Sequence, residues 1–211
     1  MTPLSRHRIL HRLFLAGLVA VAGCTSTSLV NLWRDPGYPR QSLRNVLVVA
    51  IRHDPTSRRN WEDGFVKSLR DHGIDATPSY RYFPGQAPDT AQLTDAIRSR
   101  GYDAVLLTHP LPGATQSHYV PGYATVEPVT YLSPWTGHYY TYWTDVYSPG
   151  YVETNRLVRY ANELITTRDG GRVIWSATTE TINPTSGAQV NREIADAIVP
   201  ELVKSEVIAS R

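Results

Sequence analysis

Apolar positions are not spread evenly along this chain. The stretch "NVLVVAI" at 45–51 is a continuous β-branched run, the pattern of a strand covered on both faces. It passes through "RHDPTS" into a segment where Trp61, Phe65 and Leu69 recur every four residues, which is one face of a helix. That spacing predicts a helix over about 57–72, with Asp54, Thr56 or Ser57 able to cap its start and Gly73 to end it. "DATPSY" at 75–80 reads as a short strand, and Pro78 confines it to an edge or a strand end. A second helix is expected over about 89–100, where Asp89 and Gln92 have the spacing of a capping box, Leu93 and Ile97 form the inner stripe, and Gly101 closes the last turn. "YDAVLLTHP" at 102–110 repeats the buried-strand pattern, so the first half reads β-α-β-α-β.

Beyond Pro110 the pattern changes, with Pro and Gly clustered at 110–122. Regularity returns at Glu153, where "ETNRLVRYANELITTR", a "DGG" turn at 169–171 and "RVIWSATTETI" predict a β-hairpin. Val190, Ile194, Ile198 and Leu202 then share one face of a C-terminal helix that Pro200 is expected to kink. The sum is an α/β chain of α+β character: one mixed sheet with packed helices, an aromatic segment, a hairpin and a last helix.

The aromatic segment, 119–151, is the least ordinary part of the chain. Trp135, Tyr139, Trp143, Tyr147 and Tyr151 recur every four residues, while the interleaved Thr and Pro favour extended structure. In a strand, Tyr140, Tyr142 and Val146 would point the opposite way, so both faces would carry apolar side chains. Two expectations follow: a strand sandwiched inside the fold, or an excursion whose second face meets a partner protein, lipid headgroups or the flat face of a sugar ring. On the second, Trp135, Tyr139, Tyr140, Tyr142, Trp143, Tyr147 and Tyr151 are the candidate contact residues.

The N-terminus changes the picture of where the chain works. Arg6, His7, Arg8, His11 and Arg12 precede an apolar run from Leu13 to Ala22, too short for a spanning helix of about 20 residues, and the pattern is that of an export signal. "VAGC" at 21–24 resembles the lipobox of bacterial lipoproteins. That resemblance implies cleavage after residue 23 and a diacylglyceryl thioether on Cys24, the only cysteine in the chain. Two or three acyl chains anchor a protein stably, at roughly 0.8 kcal/mol per buried methylene. Residues 1–23 are then a signal peptide, 24–32 a lipidated tether, and 33–211 a single domain. Lipidation uses the one sulfhydryl, so disulfides and cysteine chemistry are not expected. Thr25 in place of Asp after the lipidated residue implies, by the same resemblance, sorting to the outer membrane with the domain facing the periplasm.

The apparent basicity, a pI of 8.7, is partly the leader's. Three of the 21 basic residues, Arg6, Arg8 and Arg12, lie there with no acid, which leaves 18 basic against 19 acidic and a formal charge of −1. Nucleic-acid binding therefore lacks its usual driving force.

No nucleophile elbow, phosphate loop, dinucleotide fingerprint or HExxH motif occurs. Among the histidines, His109, His118 and His138, with Asp145, are the one set that a metal-dependent hydrolase could use, although their spacing has no metal-ligand signature. His53 and His109 follow predicted strands, where ligand sites of open α/β sheets lie. His72 suits a helix C-terminus. Asp54 reads as a cap, Glu62 and Asp63 as the outer helix face, and Glu153, Glu163 and Glu180 as partners for Arg156 or Arg159 in the hairpin. No cofactor is expected and no catalytic residue stands out.

"WRDPGY" (33–38), "VLVVAI", "RRNWEDGFVKSLRDHGIDATPSY", "SPGYVETN" and "GRVIWSATTETINP" together resemble a family of uncharacterised proteobacterial lipoproteins. The order of elements is similar at the fold level to the amino-terminal domain of the Tol-system propeller protein and to the curli-secretion lipoprotein. The resemblance implies an α/β envelope lipoprotein and supplies no catalytic residues. Without a catalytic motif, and with an aromatic segment suited to contact, the chain is expected to be a non-enzymatic module with the membrane as one partner and an envelope protein or peptidoglycan as another.

Overall fold

The computed structural model describes residues 27–39, 43–168 and 170–208. The expected leader, Cys24 and Thr25 lie outside the described residues. In chain order the elements are β1 (Thr27–Arg34), β2 (Asn45–Ala50), α1 (Pro55–Asp71), β3 (Asp75–Pro78), α2 (Thr90–Arg100), β4 (Ala104–Val120), β5 (Tyr123–Leu132), β6 (Tyr139–Ser148), β7 (Tyr151–Thr166), β8 (Arg172–Ile182) and α3 (Gly187–Lys204). Six strands form one mixed sheet in the order β1-β8-β7-β4-β2-β3, and β5 and β6 form a separate two-stranded sheet. β2 runs parallel to β3 and β4, while β4, β7, β8 and β1 alternate antiparallel.

Strand β2 is buried on both sides because the helices divide between the two faces of the sheet. Val46, Val48 and Ala50 share a core with Trp61, Phe65 and Leu69 of α1 and with Ile194, Ile198 and Leu202 of α3. Leu47 and Val49 turn the other way and meet Val105, Leu93 and Ile97, so α2 covers that face. An uninterrupted apolar run is what such a two-sided position requires.

The helix ends follow the sequence signals. Asp54 caps α1, its Oδ2 accepting from the Ser57 amide at 2.5 Å. Asp89 and Gln92 close a reciprocal capping box, and Gly101 takes φ +67° at the C-terminus of α2. Asp54→Ala is expected to cost about 1 kcal/mol, read as a fall of about 2–4 °C in Tm for a chain of this size. Helix α3 buries Val190, Ile194, Ile198 and Leu202 as expected and runs on past Pro200 to Lys204. The hairpin of β7 and β8 is also as expected, with Gly170 and Gly171 at φ +83° and +82° in its turn.

Three expectations are corrected. The expected tether at 24–32 overlaps a strand: β1 begins at Thr27 and pairs with β8 from Thr27↔Thr181 onward. β4 does not stop at Pro110 but continues to Val120, taking up Pro112 and Gly113 in a register shift between Leu111 and Ala114. Glu62, expected on the outer helix face, is fully buried beside Arg58, whereas Asp63 is exposed as expected. Charge alone had placed Glu62 in water; its partner one helical turn earlier takes it inside. The Arg58 guanidinium also donates to the carbonyls of Phe83 (2.7 Å) and Gln86 (2.6 Å) and to Ser79 Oγ (2.7 Å), which fastens the loop after β3 to α1.

Candidate functional site

Strands β4 and β7 are longer than the sheet they belong to. They pair from Ala104↔Thr166 to Val120↔Tyr151, but β2 leaves β4 at Thr108 and β8 leaves β7 at Leu157. Past that point the pair continues as a two-stranded ribbon, and β5 with β6 prolongs it from Tyr123↔Ser148 to Leu132↔Tyr139. The tip closes through Ser133 N to His138 O and Gly137 N to Ser133 O, both 2.9 Å. At about 3.4 Å per residue, β5 and β6 alone extend some 34 Å.

The joint between the two halves of the ribbon is built from Pro121-Gly122 and Pro149-Gly150. A Cβ on Gly122 would lie 2.7 Å from both Gly150 N and Ser148 O, and one on Gly150 would lie 2.8 Å from Gly122 N. The two backbones therefore approach as closely as they do only because neither residue has a side chain. Gly122→Ala is expected to force them apart. The check is amide exchange, faster throughout β5 and β6 while the Tm of the sheet and helices stays within 2 °C or so of wild type, the range of a local surface change.

Between 111 and 157 the only buried residue among those described is Ser133. This overturns the sandwiched-strand expectation: the candidate contact residues are exposed from 46% at Tyr140 to 95% at Trp135. Strand alternation divides the rings of β6 between two faces. Tyr139, Trp143 and Tyr147 share one, opposite Leu132, Pro128 and Ala124 of β5; Tyr140 and Tyr142 share the other, opposite Tyr131 and Val129. On that second face Tyr131 stacks on Tyr140 at 5.9 Å and meets Tyr142 edge-on at 6.0 Å. Trp135 lies in the tip and Tyr151 opens β7, so the four-residue period outlasts the strand that explains it. No Lys or Arg falls between 113 and 155, and the acids there are Glu127, Asp145 and Glu153.

The histidines do not converge. His109 is half-buried on β4 within the main sheet, His118 Nε2 lies 3.2 Å from Glu153 Oε2 along the ribbon, and His138 Nδ1 lies 2.7 Å from Thr136 O at the tip. Among the described residues no group of three His, Cys, Asp or Glu is placed to hold a metal ion. His72 sits at the C-terminus of α1 with Nδ1 2.8 Å from Ser68 O, and His53 is exposed after β2. Arg159 pairs with Glu180 at 2.9 Å, as the hairpin reading expects, whereas Glu153 faces His118 rather than an arginine.

A cleft of about 480 Å³ opens between the amino-terminal halves of α1 and α3. Arg52, which follows β2, lies on its wall with the guanidinium carbon 4.2 Å from the Trp61 ring centre and donates to Ser57 Oγ (2.7 Å) and Tyr160 Oη (3.1 Å). Sequence reading missed Arg52, although its place just past the carboxyl end of a parallel strand is a signal for such a position. Its Nε and Nη1 are bonded within the protein, and the cleft's carboxylate, Asp54, is occupied as a helix cap.

No helix among the described residues is long and apolar enough to cross a membrane. No family model and no curated protein matches the chain. Among solved structures it is similar to a point variant of the PelC dodecamer from Paraburkholderia phytofirmans, at 18% identity and a TM-score of 0.46, over 88% of this chain and 99% of that one. It is also similar to the lipoprotein GNA1162 from Neisseria meningitidis, at 14% identity and a TM-score of 0.38, over 76% of this chain and 99% of that one. These are distant likenesses in the path of the backbone.

Proposed function

We propose that the chain is an envelope lipoprotein, tied through Cys24 to the outer membrane with its α/β body on the periplasmic side, and that its aromatic ribbon is a non-enzymatic docking arm for another envelope component. The anchor rests on the leader and on "VAGC". The docking role rests on one observation: a ribbon running from 111 to 157 that contributes almost nothing to the core yet exposes aromatic rings on both faces, tyrosines on each and Trp143 on one. Contiguous exposed apolar surface on a folded domain marks an interaction site, and these two residue types dominate contact energy where a surface must be wet when free and dry when bound.

A photo-crosslinking residue at Trp143 or Tyr142 in intact cells is expected to give a discrete adduct, while the same residue at Asp71 on α1 gives none. Absence of adducts at both ribbon positions refutes the arm. Cys24→Ala is expected to move the protein from the membrane fraction to the soluble fraction; equal partitioning of wild type and variant removes the anchor. A second reading, glycan binding, has the exposed Tyr131–Tyr140 pair in its favour, their planes 29° apart, since flat rings stack on pyranose faces. Cosedimentation with isolated sacculi, lost on Tyr140→Ala, separates it from protein contact.

A further inference from the structure

The two outer edges of the ribbon differ. β5 carries Pro128 near its middle beside Glu127, and proline has no amide hydrogen to offer a neighbouring strand. β6 contains no proline, its one charge is Asp145, and its register with β5 is unbroken over 10 residues. Natural sheets guard an open edge with charged side chains, lysine above all, with proline, a bulge or a covering element. Among the described residues β6 has only Asp145 to serve this purpose, and its sheet has only two strands. A two-stranded ribbon without a packed face is marginal in water. This edge therefore needs a further strand.

Resting on the reading of the ribbon as a contact arm, we propose that its occupant is a second copy of this chain, with β6 pairing antiparallel to β6 to give a four-stranded sheet β5-β6-β6-β5. A two-fold axis perpendicular to the sheet keeps each face on its own side, so opposed residues must share a face and their numbers must sum to an even value. Centring the axis on Trp143 sets Trp143 against Trp143 and Tyr139 against Tyr147 on one face, and Tyr140 against Val146 on the other. Every ring of the first face then has an aromatic ring opposite it, and Asp145 lies opposite Thr141. Moving the centre to Asp145 would oppose two carboxylates. Moving it to Thr141 would shorten the paired stretch to 139–143 and leave Tyr147 without a strand residue opposite.

The area suits a dimer. Tyr139, Tyr140, Tyr142, Trp143 and Tyr147 expose between 46% and 75% of their surface. Covering half of that on rings of roughly 150–250 Å² removes about 300 Å² per copy. Backbone and threonine along the seam add a similar amount, so the total reaches about 1,200 Å², within the range of specific interfaces. The absence of Lys and Arg from 113 to 155, where the acids are Glu127, Asp145 and Glu153, argues against an anionic lipid surface as the occupant.

The full lipidated chain, oxidised in its membranes, tests the seam. Trp143→Cys is expected to form a disulfide dimer, because directly opposed strand residues have Cα atoms about 4.5–5.5 Å apart. Thr141→Cys is expected to stay monomeric, its two copies being offset by four residues, about 14 Å. Co-expressed Tyr139→Cys and Tyr147→Cys are expected to give a mixed dimer that neither gives alone; wild type, with only Cys24, sets the background. In sedimentation, Thr144→Lys is expected to weaken the dimer tenfold or more with its circular dichroism unchanged. Equal crosslinking at 141 and 143, or a dimer indifferent to Thr144→Lys, overturns the seam. A wild-type monomer whose ribbon still photo-crosslinks to a different envelope component overturns self-pairing but leaves the docking arm standing, whereas loss of all ribbon adducts refutes both.

Discussion

Glu62→Ala is expected to remove about 3–5 kcal/mol of stability, the effect of deleting one partner of a buried ion pair. Glu62 and Arg58 expose 0% and 1% of their surface. The carboxylate is saturated: Oε1 accepts from Arg58 Nε (2.9 Å), the Ala50 amide (3.2 Å) and Ser79 Oγ (2.7 Å), and Oε2 accepts from the Tyr80 amide (2.9 Å). Alanine would leave the guanidinium without a counter-charge and two backbone amides without acceptors. The end of β2, the first turns of α1 and the loop after β3 meet at this carboxylate, so its loss loosens all three. Chemical denaturation should show a lower midpoint. The double variant Arg58→Met, Glu62→Leu should cost clearly less than the two single changes added together, because no charge is then stranded. Additive single effects would mean that the pair is not coupled.

Trp175 provides the second large effect and a sharper discrimination. Its side chain is fully buried on β8, where it pairs with Leu164 of β7 and Arg34 of β1. Trp175→Ala is expected to cost about 3–5 kcal/mol through lost burial and the cavity left behind. The indole Nε1–H, however, has no acceptor among the described residues. A buried donor without a partner costs about 1–3 kcal/mol, so Trp175→Phe, which removes it, is expected to lose less than about 1.5 kcal/mol despite the smaller ring. Thermal unfolding of the three proteins is the measurement; a phenylalanine variant as unstable as the alanine one would show that the indole nitrogen is bonded after all.

Where local and tertiary forces agreed, the chain could be read directly. The run 45–51, the Trp61-Phe65-Leu69 stripe, the Asp89–Gln92 box and the "DGG" turn each specify a structure within a few residues, and the sheet and helices follow them. β1 was not legible because "TSLVNLWR" is short, half-exposed and broken by Asn31 at φ +53°, so its strand character depends on β8 being beside it. Glu62 was misplaced because a charged residue beside an apolar stripe normally faces water. Only the pairing of Arg58, Glu62 and Val66 along a second stripe reveals that the buried face is wider. The ribbon was visible as an aromatic pattern but not as an exposed one. Rings on alternating sides are equally compatible with a strand between two layers, and what decides is the length by which β4 and β7 outrun their neighbours, a property of the whole sheet.

An arm with no cation from 113 to 155 has a consequence for the medium in which it works. Contacts that rely on opposite charges fade as dissolved ions accumulate, since added salt shortens the reach of every exposed charge to a few ångströms. Ring burial and strand pairing do not depend on that reach, and salting-out ions strengthen the apolar part. Should the ribbon associate as proposed, that association is expected to hold from dilute buffer to brine.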